Sequence, residues 1–333
     1  MLSRETWVPS AGSFSKGQGA ILALKVAVTL GCLWYLFRHI DVGELRRTLP
    51  GLETQWVVIA VLLLVLQIPL VALRWLEIVR VLKMPTNLLT YPWMTAAAAV
   101  GQFFGQILPV IAGDGVRVWL LARFESDWRD AAISVAIDRC IGIGLLLTFA
   151  FAIMLLPSTL GLFGDERGEV IVVLGVMILT GLMGLVLGPR LSTVLATWRH
   201  AGWLAAFCMG ANRAVFGPRS ITILGVGCLI HVLTIAAIWS LGRAQGLAVS
   251  PADAAVLFAV MVGIALVPFS IGGWGLRELA MVSVFGNYGL TPERALVFSM
   301  YFGLSCVLAS LPGALVWFGF LMSRPRRSSE FGR

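Results

Sequence analysis

The chain has 333 residues, is 59% hydrophobic and 13% charged, and carries a formal net charge of +8. Its mean hydropathy of +0.91 excludes an ordinary soluble domain and points to an integral membrane protein. The positive charge is no sign of nucleic acid, because the basic residues cluster beside apolar runs, as cytoplasmic anchors on anionic lipid do. The five cysteines (Cys32, Cys140, Cys208, Cys228, Cys306) are scattered and give neither a metal spacing nor a disulfide framework.

From the N-terminus, residues 1–19 read as a polar cytoplasmic leader. They show no short apolar stretch followed by a small-residue cleavage site, so no cleaved signal is expected. A bilayer core needs roughly 20 apolar residues per helix. Six runs meet this, at about 20–37, 56–73, 131–156, 169–187, 220–242 and 295–320. The polar stretches between them, 38–55 and 188–219, are too short and interrupted to form a soluble domain. The chain closes on a basic cytoplasmic tail, 321–333, with Arg324, Arg326 and Arg327. The span 20–320 is thus expected to form a single transmembrane domain.

Two further apolar regions, 91–123 and 251–290, are interrupted. The first holds Pro109-x-x-x-Gly113-Asp114-x-x-Arg117. The second holds Pro268-x-Ser270-x-Gly272-Gly273-Trp274-Gly275-x-Arg277-Glu278. Proline removes a backbone donor and glycine weakens a helix, so both helices should break there. Broken backbone at membrane depth is tolerated only where protein buries it or a watery cavity touches it, and charges at that depth are costly. Each region is either two full spans or a re-entrant hairpin; the short arms favour hairpins.

With both regions as hairpins and a cytoplasmic N-terminus, the cytoplasmic segments hold 16 Lys/Arg and the opposite side holds 5. That is a strong positive-inside bias, although two full spans per region would leave the end loops on the same sides. The expected fold is all-α and polytopic: six full transmembrane helices plus two broken re-entrant helical hairpins, about eight hydrophobic segments. The unit 56–156 would recur inverted as 220–320, the usual frame for alternating access. Both termini would be cytoplasmic.

Several polar residues in apolar surroundings are candidates for function. Asp114 and Arg117 are three apart and share a helix face; with a helix starting at Gly113, free amides and Arg117 would favour a lipid phosphate. The alternative is a structural Asp114 cap. Asp138 and Arg139 are adjacent, so they point about 100° apart and each needs a partner elsewhere; Arg139–Asp114 and Asp138–Arg117 are candidate pairs. Arg277, behind the glycines Gly272 and Gly273, would hold a phosphate, and Glu278 would carry a proton or pair with it. Trp274, away from the interfacial tryptophans, would line the cavity. His231, mid-helix and alone, reads as a core residue before a proton relay. Arg74 and Glu77 read as interfacial. Nothing suggests a nucleotide loop, a metal cluster, a catalytic triad or a cofactor.

These three motifs, with Asp138-Arg139-x-x-Gly142 as the third, resemble the membrane region of the lysylphosphatidylglycerol synthase family, also called flippase-like integral membrane proteins. The resemblance runs from about residue 20 to 320, and the glycine-rich motif is its most specific part. It implies an inner-membrane protein of about eight hydrophobic segments that moves phospholipids or lipid-linked, isoprenoid glycolipids between leaflets. Some relatives carry a fused soluble aminoacyl-transferase domain; no stretch here matches one, so the resemblance does not carry transferase activity. Relatives near hopanoid pathways widen the substrate range. The expected partners are the bilayer and a membrane lipid, with no nucleic acid; a second copy or lipid-biosynthesis enzymes are the candidate protein partners. The rival readings are a membrane enzyme acting on a lipid headgroup, with Glu278 and Asp114 as acid and base, and an accessory subunit of a lipid-biosynthesis complex.

Overall fold

The computed structural model describes Trp34, Arg38 and residues 53–84, 89–108, 110–123, 127–156, 167–198, 201–265, 274–286 and 291–322. Apart from Trp34, the apolar run 20–37 lies outside these, as do the leader, tail residues 323–333, Pro109, Pro268 and Gly272–Gly273. Among the described residues there are ten helices and no strand. They are α1 Thr54–Val81, α2 Tyr91–Ile107, α3 Val110–Ala122, α4 Trp128–Met154, α5 Arg167–Ala196, α6 Gly202–Phe216, α7 Ser220–Ala244, α8 Pro251–Ala265, α9 Leu276–Gly286 and α10 Pro292–Met322.

Five of them, α1, α4, α5, α7 and α10 over Pro292–Gly319, are long and apolar enough to cross a membrane, and each covers one of the expected runs. The interrupted regions form shorter helices. α2 and α3 have 17 and 13 residues, so at about 1.5 Å per residue they reach roughly 25 and 20 Å, short of a hydrocarbon core of about 30 Å. α8 and α9 are shorter still, at 15 and 11 residues. The stretch 188–219, read from sequence as a polar loop, instead extends α5 to Ala196 and then forms α6. Buried Ala205, Gly210, Ala211 and Ala214 supply the small-residue face of α6. Four small residues spread over three turns leave little apolar periodicity for a sequence reading to find.

α2 and α3 fold back on each other about the break. A Cβ on Gly113 would collide with the Gly101 carbonyl oxygen and would sit 2.8 Å from the Gly105 amide nitrogen. Only glycine lets two backbones approach this closely, the device that packs helices in lipid where no hydrophobic drive operates between them. Gly313 of α10 does the same against the Ala99 carbonyl of α2.

The helices form two sets of neighbours. In the first, α1 packs on α2, α2 on α3, and α3 on α4; in the second, α7 packs on α8, α8 on α9, and α9 on α10. The sets join along α1–α7, α2–α10 and α4–α8. Trp75, Phe258, Phe285 and Phe298 anchor the interior. Outside, Leu62, Leu66, Val172, Leu179, Ile221 and Leu315 are exposed. An apolar perimeter of this extent suits hydrocarbon rather than water.

Candidate functional site

The polar residues of the first set converge where α1, α3 and α4 meet. Arg74 on α1 donates from Nε to Asp138 Oδ1 at 2.8 Å. Arg117 on α3 donates from Nη2 to Asp138 Oδ2 at 3.0 Å. Arg139, one residue further along α4, points away and donates from Nε to Asp114 Oδ1 and Oδ2 at 2.9 and 2.7 Å. Arg117 Nη1 lies 3.8 Å from Asp114 Oδ1 and closes the chain. Both cross-helix pairs expected from the helical geometry of Asp138 and Arg139 are thus present.

Burial grades the cluster. Asp138 is 1% exposed and Arg117 5%, whereas the Arg139 side chain is 41% exposed. The Arg117 guanidinium lies 4.2 Å from the centre of the Trp75 ring, a cation–π contact that helps hold an otherwise expensive charge. Trp75 is fixed in turn by its indole N–H, which donates to Ser134 Oγ at 3.1 Å.

The cluster opens onto a cavity of about 310 Å³. Arg74, Asp114, Arg117, Asp138 and Arg139 form its charged floor; Gln67, Gln102 and Gln106 add neutral polar groups; Ile143, Leu146, Ile230 and Val262 form an apolar wall. His231 lines it too, with Nε2 3.2 Å from the Gly142 carbonyl oxygen and its ring against Phe149 and Phe258, so it is a satisfied histidine at the cavity edge. The Arg74 guanidinium faces Gly142, where an added Cβ would stand 3.6 Å from Nη2, an ordinary contact.

Several expectations change. Arg74 and Glu77, read as interfacial, are 7% and 6% exposed. Arg74 belongs to the cavity, and Glu77 accepts from Arg80 and from Arg219, tying the end of α1 to the start of α7. Arg74 and Arg117, two of the sixteen cytoplasmic charges counted from sequence, are therefore inside the bundle. α3 begins at Val110, not Gly113, so Asp114 and Arg117 stand about one and two turns inside the helix and Gly113 serves the α2–α3 crossing.

The second set holds its charges differently. Arg277 and Glu278 are 4% and 0% exposed, and neither they nor Trp274 line the cavity. Arg277 donates from Nη2 to Glu278 Oε1 at 2.7 Å. Ser299 on α10 accepts from Arg277 Nε at 3.1 Å and donates to Glu278 Oε1 at 2.9 Å. The other oxygen, Oε2, accepts the Gly275 amide at 2.6 Å. Gly275 has φ +87, a conformation open to glycine at little cost. The helix-start amide and the guanidinium expected to meet a phosphate are both engaged by Glu278. Trp274 lies under Arg277, with its ring centre 4.7 Å from the guanidinium carbon. Among the described residues these charges thus fall into two clusters, each with its own counter-charges.

Apolar spanning helices around a charged internal cavity define a polytopic helical membrane protein. Residues 22–313 match the lysylphosphatidylglycerol synthase TM region. The chain belongs to that family of multi-pass membrane proteins. No curated protein matches it significantly.

Proposed function

We propose that the protein is a lipid translocase that carries a phospholipid or lipid-linked glycolipid headgroup across the inner membrane through the α1–α3–α4 cavity. The observation that carries this reading is a cavity of about 310 Å³ with a charged floor, two of whose arginines, Arg74 and Arg117, are buried, inside an apolar bundle. That volume lies at the low end of ligand cavities, about 300–1,000 Å³; it suits a headgroup and leaves the acyl chains in the bilayer. Arg117 and Arg74 hold the phosphate, Arg139 admits it from the more exposed side, and Asp114 and Asp138 keep the guanidiniums in place between substrates. Arg277 and Glu278 brace α9 on α10.

The packing supports an inverted repeat with two re-entrant hairpins. Each neighbour pair of the first set has a counterpart in the second under the exchange of α1 with α7, α2 with α8, α3 with α9 and α4 with α10. The contacts α2–α10 and α4–α8 are one such pair. Together with the basic bias, this favours cytoplasmic termini and alternating access by rocking of one set against the other. A translocase fits better than an enzyme because both cavity carboxylates are already engaged by guanidiniums, leaving neither as a ready general base.

Purified protein in vesicles containing an acyl-labelled fluorescent phospholipid should raise the fraction of label that an external quencher reaches. Folded protein that leaves this fraction at the protein-free level would overturn the reading.

A further inference from the structure

The cavity's hydrogen-bonding inventory is unbalanced, and the imbalance selects a headgroup. All four carboxylate oxygens already accept from a guanidinium: Asp138 from Arg74 and Arg117, Asp114 from Arg139 at both oxygens. Donors remain over. Arg117 Nε and Gln67 Nε2 are buried with no acceptor. The Nη groups of Arg74 donate to no described residue, and neither do those of Arg139. Three arginines against two aspartates leave the floor one positive charge in surplus.

We infer that the cavity selects a net-anionic, hydroxyl-bearing phosphodiester headgroup and rejects aminoacylated, cationic ones. This rests on the translocase reading and narrows it. A phosphate supplies acceptors for the free Nη donors of Arg74 and Arg139 in charge-assisted bonds, about twice as strong as neutral ones. Hydroxyl groups both donate and accept, which matches the amides of Gln102 and Gln106. An ammonium group needs a free carboxylate or an open aromatic face. Each carboxylate is already paired with guanidiniums at 2.7–3.0 Å, which leaves it little net negative charge for another cation, and Arg117 covers the Trp75 ring. A further cation beside the guanidiniums would meet like charge in a poorly solvated place, where repulsion is weakly screened.

The test compares binding to the purified full chain in detergent micelles doped with phosphatidylglycerol, phosphatidylethanolamine or lysylphosphatidylglycerol, and with soluble glycerophosphoglycerol, read as thermal stabilisation against concentration. Phosphatidylglycerol should bind at least about tenfold more tightly than the cationic lipid and more tightly than the soluble diester. The variant Gln106→Glu, which adds a carboxylate to the cavity, should lose most of this preference. Equal or tighter binding of the lysyl lipid, or an unchanged preference in Gln106→Glu, overturns the selectivity while leaving the translocase reading intact. Binding of the soluble diester alone, or of no lipid, removes the translocase reading itself.

Discussion

Both interrupted segments place an arginine on the short helix that follows the break, and the structure completes the two arginines in different ways. Arg117 reaches a carboxylate on another helix and lies at the edge of a cavity. Arg277 finds its carboxylate on the next residue, with Ser299 and the Gly275 amide completing the shell. The reason is position along the helix. In the first turn, the Glu278 carboxylate can fold back to the helix-start amide, as the glutamate of a capping box does, and the long Arg277 side chain follows it. Mid-helix, Asp138 has no free amide to reach and must be met from α1 and α3. A charge pair at a helix start can close on itself, whereas one in the middle of a span recruits its neighbours and leaves donors over.

The sharpest way to break this contrast is Asp138→Ala. It strands two buried guanidiniums, and losing the partner of a buried charge costs about 3–5 kcal/mol, so thermal unfolding in detergent should fall well below wild type. An unchanged midpoint would mean that Arg74 and Arg117 need no counter-charge, and the two clusters would not differ.

The closed cluster should behave as a replaceable brace. Glu278→Leu alone and Arg277→Met alone are each expected to cost about 3 kcal/mol, while the two together should recover most of the loss, because a complete buried pair can often be exchanged for apolar side chains. Stability measurements on the singles and the double give the coupling. Strict additivity would show that Arg277 and Glu278 do not act as a pair.

The hairpin scaffold is tested at two glycines of α3. Gly113→Ala drives a methyl into the Gly101 carbonyl and should cost about 1–3 kcal/mol. Gly115, where an added methyl would meet nothing within 4 Å, should accept alanine without loss. Equal effects at both positions would separate α2 from α3.

Much of this was legible in the residues. Run length and hydropathy located the five described spans, and the prolines and glycines marked both interruptions. The 100° step between neighbours in a helix showed that Asp138 and Arg139 need separate partners. Arg74 was obscured because it follows an apolar stretch already long enough to span, which makes an arginine look terminal; α1 in fact continues to Val81. Gln67, seven residues earlier and on the same face, was the signal that could have drawn Arg74 inward. Trp75 offered none, since its role depends on Arg117 from another helix. The pairing of Arg277 with Glu278 was one of the readings the residues offered; adjacent residues diverge in a regular helix, and the first-turn geometry that lets Glu278 also take the Gly275 amide is what brings these two together.

Arg139→Gln separates binding from folding most cleanly. Its side chain is 41% exposed, so the stability change should stay within about 1 kcal/mol, while the cavity loses its surplus charge. The direct measurement is native mass spectrometry of phospholipid retained by wild type and by Arg139→Gln after identical purification. The cavity account predicts bound phospholipid on the wild type and roughly tenfold less on the variant. Equal retention on two equally folded proteins would place the headgroup elsewhere and contradict it.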